Sequence, residues 1–121
     1  MDKKHILICD DEMGIRESLN LILKDDYNLS FCENGDKCLE WLESGNDIDL
    51  AMLDIKMPRQ SGLDILKRIK EKRPGLKVII VTGYRSIETA KEAIDSGAAD
   101  YIIKPFSAKD ILKSVGKHIN K

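Results

Sequence analysis

Four short apolar runs of the sequence are each followed directly by polar residues whose side chains can bind ions or take part in reactions. Asp10-Asp11-Glu12 follows the first of these runs, and Asp54 follows the second. Thr82-Gly83 and Lys104-Pro105 follow the two later ones. The chain therefore offers carboxylates, a hydroxyl and an ammonium group at equivalent positions, a set that suits the binding of a phosphate group and its cation.

The carboxylates need a positive partner if they lie together. Three close carboxylates repel one another, and the pKa of each is raised unless a cation sits among them. Lys104 is one candidate for that cation. A hard divalent ion is the other, since Mg²⁺ prefers oxygen ligands and keeps positions for water and phosphate oxygens. The residue types thus predict a metal-assisted phosphate site with a carboxylate nucleophile available.

The elements that must position these residues are strands and helices in the order βαβαβαβαβα. Near-continuous apolar runs are typical of strands buried on both faces of a parallel sheet. Of five apolar runs, three are near-continuous; the five are Ile6–Cys9, Leu29–Cys32, Leu50–Leu53, Val78–Val81 and Tyr101–Ile103. Between them, apolar residues recur at helical spacing. The predicted faces are 15/19/22/23, 38/39/42, 65/66/69, 87/90/93/94 and 111/112/115/119.

Local signals agree with this alternation. Ser107 with Asp110 three residues later predicts an N-cap for the last helix, and Gly97 predicts the end of the fourth. Alternating strands and helices imply right-handed crossovers and a parallel sheet between two helix layers, an α/β fold. In such open sheets, function gathers outside the carboxyl ends of the strands, which is where the polar residues are predicted to lie.

Composition narrows the classes of function. The 121 residues fit one domain. Twenty Lys and Arg against 21 Asp and Glu give a net charge of −1, which argues against nucleic acid or an anionic membrane as the main partner. There is no apolar run of membrane-spanning length and no signal peptide. Three cysteines without a CxxC pair fit reduced cytoplasmic thiols, and no GxGxxG or GxxxxGK[ST] motif supports nucleotide binding.

Four segments, in this order and spacing, carry a family resemblance. They are Ile6-Leu7-Ile8-Cys9-Asp10-Asp11-Glu12, Met52-Leu53-Asp54-Ile55-Lys56-Met57-Pro58 with Gly62, Val81-Thr82-Gly83, and Tyr101-Ile102-Ile103-Lys104-Pro105-Phe106. The set resembles the response-regulator receiver domain of two-component signalling over essentially the whole chain. The resemblance implies a flavodoxin-like, doubly wound sheet of five parallel strands in the order 2-1-3-4-5. It also implies a cis Lys104–Pro105 peptide, and a single receiver domain over residues 1–121 with no output domain in this chain.

The resemblance assigns roles at the predicted site. Asp54 is implied to be the phosphoacceptor. Asp11, Asp54 and the backbone carbonyl of Lys56 are implied to bind Mg²⁺, for which Mn²⁺ would substitute. Asp10 would contribute through a bound water, while Lys104 would pair with Asp54 and later with the phosphoryl oxygens.

Further positions are implied to switch and tune the domain. Thr82 would move to bond the phosphoryl group, for which Gly83 leaves room, and Tyr101 would turn inward. This motion would reshape the surface of the fourth helix, fifth strand and fifth helix. Lys56 and Tyr84 flank the path of hydrolytic water, so we expect large side chains there to prolong the life of a phosphoaspartate.

The implied function is a cytoplasmic signalling switch that catalyses its own phosphorylation and dephosphorylation. Its donor would be a histidine kinase or a histidine phosphotransfer protein, and its target a downstream protein or a missing output domain. We expect no direct nucleic-acid binding by this chain and no membrane contact. This signalling role ranks above enzymatic turnover of a substrate.

Three alternatives have weaker support. A Mg²⁺-dependent phosphatase with an Asp54 nucleophile, acting on small phosphate esters, needs a general acid that the sequence does not offer. A flavodoxin-like electron carrier is disfavoured because the acidic first loop would repel the phosphate of its cofactor. A degenerate receiver is disfavoured because Asp10, Asp11, Asp54, Thr82 and Lys104 are all intact.

Overall fold

A computed structural model describes residues 3–57 and 60–119 of the chain. Within the described residues, the strands are β1 (His5–Cys9), β2 (Asn28–Cys32), β3 (Leu50–Leu53), β4 (Lys56–Met57), β5 (Gln60–Ser61), β6 (Lys77–Thr82) and β7 (Asp100–Ile103). The main sheet has five parallel strands in the order β2-β1-β3-β6-β7. The helices are α1 (Met13–Leu23), α2 (Gly35–Glu43), α3 (Gly62–Lys72), α4 (Ile87–Asp95) and α5 (Ala108–Ile119).

The predicted architecture is confirmed, with one addition. The five long strands follow the expected order 2-1-3-4-5 when the short hairpin is left out of the count. That hairpin pairs β4 with β5 in antiparallel fashion, with Lys56 opposite Ser61. The sequence pattern did not predict it, because strands of two residues are too short to show a period. Pro58, part of the motif that carries the resemblance, lies outside the described residues.

The sheet separates two cores, because successive side chains of a strand point to opposite faces. One face packs against α2, α3 and α4 through residues such as Leu39, Ile65 and Ala93. The other packs against α1 and α5, with Leu19 and Val115 at its centre. Three of the long strands, β1, β3 and β6, contribute buried residues to both cores, which explains their near-continuous apolar runs.

The predicted helix faces are only partly right. In α4, Ala93 is buried, but Ile87 is 85% exposed and Ile94 is also exposed. In α5, Leu112 is exposed, whereas its neighbour Ile111 is fully buried. Apolar spacing alone predicted all of these as core, yet a helix lying on a sheet turns only a narrow stripe inward.

The local predictions are confirmed. The Ser107 hydroxyl accepts a hydrogen bond of 3.1 Å from the backbone N–H of Asp110, which caps α5. Gly97 follows α4 with a φ of +107°, a conformation that glycine adopts without strain. The Lys104–Pro105 peptide bond is cis.

Gly62 is expected to tolerate no side chain. The β4–β5 hairpin returns the chain so that Gly62, at the start of α3, lies against Ile55, and a Cβ atom added there would overlap the Cα of Ile55. We expect Gly62→Ala to lower the free energy of unfolding by about 3 kcal/mol, the upper end for overpacking, because backbone must move. Urea denaturation measures this change.

Gly116 provides the matched control. It lies inside α5 with open space around the position of an added Cβ. Gly116→Ala is therefore expected to stabilise the protein by about 1 kcal/mol, the difference in helix propensity between the two residues. If the two substitutions changed the free energy of unfolding equally, the close packing of Gly62 against Ile55 would be disproved.

Candidate functional site

Asp10 and Asp54 lie side by side because they follow two hydrogen-bonded neighbours, β1 and β3. Both are buried. They are held in the same way. Oδ1 of Asp10 accepts the backbone N–H of Glu12 at 2.9 Å, and Oδ1 of Asp54 accepts that of Lys56 at 2.8 Å. Each carboxylate thus closes a turn onto the residue two positions later and directs its second oxygen, Oδ2, towards Lys104.

Lys104 joins the two carboxylates. It follows β7 at the same edge of the sheet, and its backbone N–H is fixed to the carbonyl of Thr82 at 2.8 Å. Its Nζ lies 2.9 Å from Oδ2 of Asp10, 2.9 Å from Oδ2 of Asp54 and 3.1 Å from Oε1 of Glu12. The ammonium group is therefore the positive partner that clustered carboxylates require.

The electrostatics of this cluster follow from burial and pairing. Burial by itself would lower the pKa of Lys104, but the hydrogen bonds to the carboxylates of Asp10, Asp54 and Glu12 outweigh it and raise that pKa above its ordinary value. Burial also raises the pKa of Asp10, although the N–H of Glu12 and the Lys104 ammonium oppose this effect.

A metal ion would fit among the acids. Carboxylate oxygens of Asp10, Asp11, Glu12 and Asp54 all lie within 4.8 Å of one another. Asp11 and Glu12 are exposed, so a cation that arrives from solvent can reach their carboxylates. An all-oxygen donor set of this kind matches Mg²⁺, which uses one or two protein carboxylates and retains water or phosphate ligands.

The acids open onto a cavity of about 440 Å³. Asp54 and Lys104 line it together with Lys56, Met57 and Gly83. Open space surrounds the position of a Cβ at Gly83, as expected for a residue that leaves room beside the nucleophile. The cavity is large enough for a phosphoryl group with its cation and waters.

The two predicted switch residues are both bonded to Tyr84. Thr82, at the end of β6, is buried, and its Oγ1 lies 3.5 Å from the backbone N of Tyr84, which donates to it. Tyr101, on the neighbouring strand β7, is half-buried and donates its hydroxyl to the carbonyl of Tyr84 at 3.0 Å. Burial, followed by the charge of Asp54, raises the pKa of Tyr101. The segment after β6 therefore connects the hydroxyl of Thr82 with the aromatic residue.

Lys56, which lines the cavity, contacts the ring of Tyr84. Nζ of Lys56 lies 5.4 Å from the centroid of the Tyr84 ring, a cation–π distance. The sequence predicted that both side chains flank the path of hydrolytic water. In the structure Lys56 lines the cavity that contains Asp54, while Tyr84 lines a neighbouring cavity that shares Met57 with it.

Two contacts escaped the sequence analysis. Glu12 bonds to Lys104, although the sequence assigned it no role beyond the acidic cluster. Arg16 donates to the backbone carbonyl of Asp10 at 2.7 Å and so secures the loop after β1. The spacing of Arg16, one helical turn after Glu12, was a usable signal, since it places the guanidinium over the N-terminus of α1.

Comparison with known proteins identifies the family. The model of the family described as "Response regulator receiver domain" matches residues 6–116. The DNA-binding transcriptional regulator NtrC of Rhizobium meliloti is 34% identical over 113 residues, 93% of this chain and 23% of that protein. A cyclic di-GMP phosphodiesterase of Thermotoga maritima is 36% identical over 101 residues, 83% of this chain and 27% of that protein.

A solved structure agrees closely with the fold. The CheY-like response regulator receiver domain protein of Methanospirillum hungatei JF-1 superposes with a TM-score of 0.92 at 33% identity, covering 98% of this chain and 95% of that one. The chain spans about a quarter of the length of both curated relatives. Among the residues that the structure describes, no helix has the length and apolar character needed to cross a membrane. The family model matches nearly the whole length of the chain, and the fold agrees with that of a solved receiver domain. The chain therefore belongs to the response regulator receiver domain family.

Proposed function

We propose that this chain accepts a phosphoryl group on Asp54 from a phosphohistidine of a histidine kinase or histidine phosphotransfer protein. The observation that carries the proposal is the environment of Asp54. Its carboxylate is buried, held on one side by the N–H of Lys56 and on the other by the Lys104 ammonium, and it lines a cavity open to solvent. A fixed nucleophile beside a fixed positive charge is what phosphoryl transfer requires.

The step balances without other reactants. An oxygen of the Asp54 carboxylate forms a bond to phosphorus while the phosphorus–nitrogen bond of the phosphohistidine breaks, and the donor imidazole keeps the electron pair. The product is an acyl phosphate. Lys104, already 2.9 Å from Asp54, can follow the charge onto the phosphoryl oxygens.

Mg²⁺ fits the same group of residues. Asp11, Asp54 and the backbone carbonyl of Lys56 would hold it directly and Asp10 through water, with Mn²⁺ as a substitute. When bound, the ion neutralises charge on the phosphoryl oxygens. The proximity of the four carboxylates supports this assignment.

The output of the switch would be read on the surface of α4, β7 and α5. This surface carries the exposed apolar side chains Ile87, Ile94 and Leu112, and Tyr101 belongs to its strand β7. Exposed apolar side chains of this kind suit a protein partner or an output domain.

Thr82→Ala is expected to separate phosphorylation from signalling. The variant keeps Asp54, Lys104 and the acids, so its phosphoryl uptake should stay within about threefold of the native rate. It loses the hydroxyl that would follow the phosphoryl group, so amide chemical shifts of α4, β7 and α5 should change less on phosphorylation. Shift changes as large as those of the native protein would show that the switch does not pass through Thr82.

The Lys56–Tyr84 pair is expected to slow the loss of the phosphoryl group. Lys56 lines the cavity and Tyr84 lies against its ammonium group, so the pair would restrict the approach of water opposite the leaving oxygen. We expect the double variant Lys56→Ala, Tyr84→Ala to lose its phosphoryl group about ten times faster, measured by intact mass after removal of the donor. Lys67→Ala, which alters an exposed lysine of α3, is the control. An unchanged decay rate in the double variant would disprove the shielding.

Intact mass spectrometry tests the proposed function directly. The native chain, incubated with Mg²⁺ and acetyl phosphate, should gain one phosphoryl group that hydroxylamine removes, as expected of an acyl phosphate. The adduct should be absent without Mg²⁺. In a folded protein, no adduct and no release of phosphate with either acetyl phosphate or a phosphorylated histidine phosphotransfer protein as donor would overturn the proposal. Continuous release of phosphate without any adduct would instead support a phosphatase.

A further inference from the structure

The ammonium group of Lys104 is already saturated with acceptors. An ammonium carries three hydrogens, and three carboxylate oxygens, from Asp10, Glu12 and Asp54, lie within 3.1 Å of its Nζ. A phosphoryl oxygen that arrives at Lys104 must therefore displace one of them. Which one yields depends on how each carboxylate is held.

The three acceptors differ in burial and support. The side chains of Asp10 and Asp54 are only 3% and 1% exposed, and each has a second hydrogen bond from a backbone N–H. Losing Lys104 would leave either of them buried with its charge unpaired, which is costly. The Glu12 side chain is 60% exposed, so water can solvate its carboxylate when the bond to Lys104 breaks.

The side chain of Glu12 also does not cap α1, the helix that it precedes. It occupies the N-cap position of α1, but its side chain makes no capping hydrogen bond. Its backbone carbonyl accepts the N–H of Arg16 and would do so with any side chain. Its contact with Lys104 therefore does not secure the start of α1.

We infer that Glu12 takes the position of the phosphoryl group at Lys104. Its carboxylate accepts the third hydrogen of the ammonium group until an oxygen of the phosphoryl donor displaces it. This inference rests on the proposed function and deepens it, since it names a residue that regulates access to the site. Glu12 competes with the incoming phosphoryl oxygens for Lys104 and repels their negative charge. It is a positioning residue that raises the donor concentration needed for half-maximal rate and leaves the transfer step itself unchanged.

The test is a comparison of donor affinity and maximal rate at saturating Mg²⁺. Glu12→Gln removes the charge and keeps the length, and we expect the KM for acetyl phosphate to fall about fivefold, the effect of one unit charge a few ångströms away in water. The kcat should stay within about twofold. Glu12→Ala removes the acceptor as well, so its KM should fall at least as far. Glu17→Gln, an exposed acid further along α1, controls for net charge and should leave KM unchanged.

Equilibrium binding supplies a second readout that needs no turnover. The dissociation constant of acetylphosphonate, an unreactive analogue of the donor, should fall in Glu12→Gln by the same factor as KM. Equal KM values in native and variant proteins at saturating Mg²⁺ would overturn the inference. So would a rise in KM together with a loss of Mg²⁺ affinity of more than about tenfold, which would make Glu12 a metal ligand instead.

Failure of the proposed function would look different. In that case the native chain would form no Mg²⁺-dependent adduct at any donor concentration. Binding of the analogue would still report whether Glu12 competes for Lys104. The two ideas can therefore fail separately.

Discussion

Asp54→Asn is expected to abolish phosphoryl uptake completely. The asparagine keeps the size of the side chain and can still accept the N–H of Lys56 through its amide oxygen, so the turn after β3 should persist. An amide oxygen has no negative charge to attack phosphorus, and the variant also loses one ligand for a cation. Under conditions that fully phosphorylate the native chain, intact mass should show no adduct.

The control for Asp54→Asn is a second aspartate that lies away from the site. Asp25, exposed in the turn after α1, serves because Asp25→Asn changes net charge by the same amount. It should be phosphorylated like the native chain. An adduct of native yield in Asp54→Asn would place the acceptor on another residue, and peptide mapping would then locate it.

Lys104→Met is expected to reduce the rate of phosphoryl uptake about a hundredfold at saturating Mg²⁺. Methionine keeps the aliphatic stem but removes the only side-chain charge that bonds to Asp54 in the described part of the chain. Losing one preorganised donor to a developing negative charge costs a factor of this size in other enzymes. A rate within threefold of the native one would show that Lys104 is structural only.

The same substitution is expected to weaken the fold. Without Lys104, the buried carboxylates of Asp10 and Asp54 face each other with no counter-charge, so the free energy of unfolding should fall by about 3 kcal/mol at pH 7. Lys67→Met, at an exposed position of α3, should change it by less than about 0.5 kcal/mol. Urea denaturation distinguishes the two.

The pH dependence of that loss has a definite sign. Burial already raises the pKa of Asp10, so its folded state binds a proton at a pH where the unfolded state does not. Stability contributed by such a group rises as pH falls from the raised pKa to the ordinary one near 4. The instability of Lys104→Met should therefore shrink between pH 7 and pH 5. In the native chain, the raised pKa of Lys104 means that its stabilisation is lost only as pH rises above about 10.

Sequence predicted the fold well because the signals were redundant. The apolar runs predicted the strands, while the cap at Ser107 and the glycine at position 97 predicted helix ends, and all of them agree with one alternation of strands and helices. The meeting of Asp10, Asp54 and Lys104 followed from topology alone, since the carboxyl ends of parallel strands share one edge.

The remaining features depend on side-chain placement that no periodicity encodes. The bond from Glu12 to Lys104 joins residues 92 positions apart, and its formation depends on the direction in which an exposed side chain turns. The contact between Lys56 and Tyr84 likewise depends on rotamers at the ends of two strands. The exposure of Ile87 escaped prediction because apolar spacing describes a stripe without stating how far it reaches around the helix.

The dispersal of the site along the chain also has a consequence for protein synthesis. Asp54 leaves the ribosome 50 residues before Lys104, and the two meet only when β7 has paired with β6. Because domains of this size fold as cooperative units, a nascent or truncated chain holds the acceptor aspartate without its ammonium partner. Under the proposed function, the capacity to accept a phosphoryl group would therefore arise only when the fold is complete, and a phosphorylated chain would be a fully folded one.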